Sequence, residues 1–82
     1  MAKLDSLELE IKGTVYKCRE LNFDSMIEVM EAGETDGIPL SKRLLCAAVE
    51  VNGVPLNEAD IGNMGFGTTS RLINTVNNVN GS

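Results

Sequence analysis

The side chains able to do chemistry in this chain are few and poorly spaced for it. It contains no histidine, so the commonest general base and the commonest metal ligand are both missing. Cys18 and Cys46 lie far apart, without Cys-x-x-Cys spacing, which removes the usual zinc and redox motifs. Gly65-Phe66-Gly67 lacks the glycine count, the lysine and the preceding strand of a phosphate-binding loop. Glu28 and Glu31 stand one helical turn apart, a routine pattern on an exposed helix. Ser25 follows Asp24 where a helix begins, and capping alone explains both residues there. No nucleophile comes with a base to activate it. The chemistry-bearing residues therefore predict a protein that is not an enzyme and that needs no cofactor or metal.

Composition narrows the class further. The 82 residues are 43% hydrophobic, which is too apolar for a disordered chain and enough for one small core. A net charge of −5, with Lys42-Arg43 as the only adjacent basic pair, argues against a nucleic-acid binder, because phosphate contacts need clustered Lys and Arg. No apolar run approaches the ~18 residues of a membrane span, and Met1-Ala2-Lys3-Leu4-Asp5 lacks a signal peptide's apolar core. The expectation is a cytoplasmic protein whose two cysteines are reduced core residues. The charge is unevenly spread. Six acids (Glu20, Asp24, Glu28, Glu31, Glu34 and Asp36) and no base lie between positions 20 and 36. That stretch reads as a solvated helix face, with a basic partner as the sharper alternative. The Asn-rich tail carries almost no charge and reads as a frayed end or a contact surface.

The elements that would position these residues follow from periodicity. Leu7, Leu9 and Ile11 alternate with Glu8, Glu10 and Lys12, the period of a half-buried strand. A two-residue turn at Lys12-Gly13 sets Ile11 against Thr14, Leu9 against Tyr16 and Leu7 against Cys18, and it places Glu8 opposite Lys17. One register thus sorts both the apolar face and the charges, and it predicts an N-terminal β-hairpin. Phe23, Met26, Ile27 and Met30 form a single helical stripe, capped by Asn22 or Asp24 and ended by Gly33, with residues 33–39 as a loop. Ser41 opens a second helix carrying Leu44, Leu45, Ala47 and Ala48, and Val49-Glu50-Val51 is either its end or a short strand. Asn52-Gly53 favours positive φ at both residues and marks a reversal or a helix end. Asn57, with Asp60 at the third helical position, predicts a capped helical turn to about Met64. Gly65-Phe66-Gly67 breaks that turn, and Thr68 or Thr69 opens a last helix with Leu72, Ile73, Val76 and Val79 on one face. The expected architecture is a single α+β domain over residues 1–82, a hairpin packed on three or four short helices, with 1–3 and 80–82 frayed.

Two family resemblances attach to these residues. Asp24-Ser25-Met26 at a helix start, with Gly37-Ile38-Pro39 further on, resembles the phosphopantetheine attachment site of acyl carrier proteins. That resemblance would make Ser25 the attachment residue, but the family has an amphipathic helix where this chain reads as a hairpin. A resemblance that spans the whole chain is to the small tail assembly chaperones of long-tailed bacteriophages. Its motifs are Gly13-Thr14-Val15-Tyr16 at the strand turn, Arg19-Glu20-Leu21 before a helix, Asn52-Gly53-Val54-Pro55-Leu56 leading to an acid-capped helix, and the terminal Asn80-Gly81. It implies binding without catalysis. The partners it implies are the tape-measure protein, whose apolar stripe the chaperone keeps from aggregating, and the major tail protein. It also implies a frameshifted longer form of the chain, and a homo-oligomer is compatible with it. The contact residues expected are Met26, Met30, Leu44, Leu45, Met64 and Phe66, since Met-containing helices repack against many sequences. A structural component of the virion tail is the other binding-class expectation.

Overall fold

A computed structural model describes residues 5–36 and 39–81, the side chains of 33–36 excepted. The fold is α+β, and the described residues form an antiparallel four-stranded sheet and four helices. Strands β1 (Ser6–Ile11) and β2 (Thr14–Arg19) form the predicted hairpin. Their register places Leu7 against Cys18, Glu8 against Lys17, Leu9 against Tyr16 and Ile11 against Thr14. Lys12 and Gly13 both have positive φ, 51° and 82°, the hand of a tight turn that matches strand twist. Helix α1 (Phe23–Asp36) follows, then α2 (Leu40–Ala48), β3 (Val49–Val51), β4 (Val54–Pro55), α3 (Glu58–Gly62) and α4 (Phe66–Gly81).

Sheet order is β1-β2-β3-β4. The ambiguous Val49-Glu50-Val51 is a strand, and Cys18 stands opposite Val49. Asn52 and Gly53 turn it back with φ of 54° and 79°, a second hairpin of the same kind as the first. Pro55 pairs with Glu50 one position beyond the Val51–Val54 pair that closes the turn. Its missing N–H would have pointed off the sheet, so proline costs no ladder bond at that edge. The other edge strand, β1, carries Glu8 and Glu10, charges that oppose edge-to-edge pairing.

Helix α4 lies across the inner face of the first hairpin. Gly67, Thr68 and Arg71 border the same depression as Ile11 and Lys12, while Asn78 and Val79 border one with Leu7. It therefore runs antiparallel to β1. The core is formed by Ile11 and Cys18 of the hairpin, Leu45 and Ala48 of α2, and Val49, Leu56 and Ile61, closed by Leu72 and Val76 of α4. Among its described side chains, helix α1 contributes none to that cluster. Its single buried apolar side chain among the described residues, Val29, lies outside it, and α1 packs chiefly on α2.

Several expected boundaries are corrected. Helix α1 continues through Gly33 to Asp36, because glycine inside a helix costs only about 1 kcal/mol and is not by itself a stop signal. The loop expected at 33–39 is thereby shortened, and Gly37 and Ile38 lie outside the described residues. Asn22 caps α1, its Oδ1 accepting from the Ser25 amide at 2.8 Å. Helix α2 starts after Pro39 with no side-chain cap, so Ser41 sits in its first turn. Helix α4 starts at Phe66, two residues early. First-turn amides need no helical partner, and Thr69 donates its hydroxyl to the Phe66 carbonyl at 3.0 Å where a cap was expected. Helix α3 matches expectation, with Asn57 Oδ1 accepting from the Asp60 amide at 2.8 Å and the Asp60 carboxylate accepting from the Asn57 amide at 3.4 Å.

The chain end is also tied down at Asn80. Its Oδ1 accepts from the Leu21 amide at 2.7 Å, and its Nδ2 donates to the Arg19 carbonyl at 3.2 Å and the Val76 carbonyl at 3.0 Å. Asn80 was expected to fray but instead fixes the β2–α1 junction to α4. Residues 1–3 and Ser82 lie outside the described residues. Replacing Asn80 with Ala leaves the half-buried Leu21 amide without its acceptor, a cost of about 1 kcal/mol. We expect the variant to melt roughly 4–8 °C lower and the Leu21 amide to exchange faster with solvent. Unchanged exchange at Leu21 would mean the bond is not formed in solution.

Candidate functional site

The apolar stripe of α1 is only partly covered by the rest of the molecule. At about 100° per residue, Ser25, Val29 and Ala32 fall on one side of the helix. These three border the groove between α1 and α2, and Val29 is 8% exposed. Phe23, Met26, Ile27 and Met30 fall on the opposite side. Phe23 is 78% exposed and Met30 50%, while Met26 and Ile27 are half-buried. Asp24 and Glu31, both exposed, run along the Ile27 flank of the stripe. The Met26 flank leads back toward Val29 and the body of the protein. The outer face of α1 is therefore an apolar strip with acids along one side.

The expected contact residues separate into groups. Met26 and Met30 share the α1 strip, joined there by Phe23 and Ile27, which the same periodicity had already marked. Leu45 is a correction. At 1% exposure it is a core residue, because the inward face of α2 carries it between the sheet and α4, so no partner can reach it in the folded state. Leu44 and Met64 are half-buried against the same core. Phe66 is 86% exposed but stands at the start of α4. The α1 N-terminus is tied through Leu21 to Asn80, near the other end of that helix, at about 1.5 Å per residue roughly 20 Å away. Phe66 and the α1 strip are separate surfaces.

The groove between α1 and α2 encloses about 440 Å³ and gathers Arg19, Ser25, Glu28, Arg43 and Cys46. Two of the donors at its border are engaged structurally. The Ser25 amide is taken by the Asn22 cap, and Arg19 donates through Nη2 to the Ala47 carbonyl at 3.1 Å. Burial pushes the Cys46 thiol above its ordinary pKa, with Glu58 adding to the effect and Arg43 and Lys42 opposing it. Burial alone raises Cys18. Both cysteines are free, and a thiol held protonated is a poor nucleophile and metal ligand. The element before α1 is the β1–β2 hairpin, where an acyl carrier would have its first helix. Among the described residues no helix is long and apolar enough to cross a membrane, and no cluster of His, Cys, Asp or Glu is placed to hold a metal.

Comparisons with family models, with curated proteins and with solved structures found no match to this chain.

Proposed function

We propose that this protein is a non-catalytic assembly chaperone of a long-tailed phage, acting in the host cytoplasm on the tape-measure protein. The observation that supports the reading is the outward strip of α1. A 14-residue helix whose described side chains add nothing to the central core and which presents Phe23 and Met30 to solvent is built for contact with something else. Exposed apolar faces on a small domain mark interaction surfaces, and a helix strip with anchors at i, i+3, i+4 and i+7 fits the apolar stripe of another helix. Methionines suit a partner whose stripe varies along its length, because an unbranched thioether side chain repacks at low cost. The whole-chain resemblance to tail assembly chaperones supplies the identity of that helix, and with it the major tail protein and a frameshifted longer form as further proposed partners.

Co-expression tests the reading. The chain is produced together with a tape-measure protein, the proposed partner, and the soluble share of the latter is measured. We expect the native chain to raise that share several-fold. Phe23→Asp with Met30→Asp should lose the effect while melting like the parent, since both residues are exposed. A tape-measure protein equally soluble with and without the chain would contradict the proposal.

A further inference from the structure

We infer that the α1 strip is a docking site for an amphipathic helix whose apolar stripe is flanked by Lys or Arg, and that the Asp24–Glu31 ridge selects it. The inference rests on the α1 strip being the contact surface proposed above, and it adds the chemistry of the partner. Its basis is the arrangement of charge around the strip. Asp24 and Glu31 border one flank along its length, and both are exposed. Positions 20 to 36 hold no basic residue, and the bases nearest α1, Arg19 and Arg43, border the groove on its inner side with Ser25 and Val29. A helix laid on Phe23, Met26, Ile27 and Met30 brings its own flanking positions beside that ridge, where cations are favoured and anions repelled. Such rim charges add modestly to affinity and strongly to partner choice and association rate.

The same charges disfavour a second copy of the chain. Antiparallel two-fold pairing through α1 puts both acid ridges on the same side of the contact, acid beside acid. Parallel pairing sets each ridge against the partner's Met26 flank, which is apolar. Neither arrangement offers a base to either ridge.

Three synthetic helical peptides with one identical Leu stripe, and with Lys, Gln or Glu along its flanks, are titrated onto the full-length protein by fluorescence anisotropy. At low salt we expect the Lys peptide to bind roughly five- to tenfold more tightly than the Gln peptide, the Glu peptide to bind weakest, and the difference to shrink as salt shortens the screening length. Asp24→Asn with Glu31→Gln should abolish the preference. Glu8→Gln with Glu10→Gln, the same change in net charge on the exposed side of β1, should keep it. Equal binding of the Lys and Gln peptides overturns the inference, as does a preference that survives loss of Asp24 and Glu31 or vanishes equally with Glu8 and Glu10. A dimer in sedimentation that dissociates on Met30→Asp also overturns it, by making a second copy the occupant. Loss of the Lys preference with solubilisation of the tape-measure protein intact would remove this inference and leave the chaperone reading standing. A Lys preference without solubilisation would do the reverse.

Discussion

Replacing Leu45 with Ala is expected to remove a large part of the stability of this domain, while Met30→Ala is expected to leave the melting temperature almost where it was. Both residues carry a helical apolar pattern in the sequence, yet they lie on opposite sides of the physics. Leu45 is 1% exposed and belongs to the cluster that joins α2, the sheet and α4. Removing a buried Leu side chain costs about 2–5 kcal/mol, the spread depending on how far the cavity collapses. A domain of this length has on the order of 4–12 kcal/mol in total, so the variant should melt well over 10 °C lower. Met30 is half-exposed on a helix whose described side chains add nothing to that cluster, and such surface changes stay within about ±0.5 kcal/mol. Thermal melts by circular dichroism check both. A Leu45→Ala protein that melts like the parent would mean α2 presents its other face.

The second large effect is at the β3–β4 turn. Gly53 has a φ of +79°, and a Cβ built there meets nothing within 4 Å. The cost of a side chain is therefore backbone strain and not collision. Gly53→Val places a β-branched residue in the left-handed region, at about 1–3 kcal/mol, equivalent to a fall of roughly 5–20 °C. The damage would fall on Leu56, whose amide donates to the Val49 carbonyl at 3.1 Å and whose side chain enters the core. Asn52→Asp at φ 54° should cost far less, since Asp also tolerates that geometry. Equal melting of Gly53→Val and the parent would contradict a positive-φ turn at this position.

The parts of the fold legible in the sequence were those whose signals are local and mutually consistent. The first hairpin was readable because apolar alternation and the Glu8–Lys17 pairing demand one register. The α3 cap was readable because Asn57 and Asp60 satisfy each other within four residues. Boundaries set by tertiary contacts were not. Nothing local says that α1 runs past Gly33, or that Asn80 will be held by the Leu21 amide from the opposite end of the chain. The candidate site was legible as a stripe but not as a surface. Periodicity gives the face shared by Phe23, Met26, Ile27 and Met30, whereas which way that face turns depends on where Ser25, Val29 and Ala32 find α2. Leu45 was misassigned for the same reason, since an apolar helical residue reads alike whether a core or a partner covers it.

The outer face of α1 as the contact surface is tested most directly by the methionine methyl groups, which sample the competing surfaces at once. With methyl-labelled Met, the proposed partner, a tape-measure protein, is added to the full chain and the methyl resonances are followed. Met26 and Met30 lie on the strip, whereas Met64 packs against the core beside α3. The predicted result is that Met26 and Met30 shift or broaden while Met64 stays in place. Movement of Met64 with Met26 and Met30 unchanged would contradict it and would put the partner on the α3 side of the molecule.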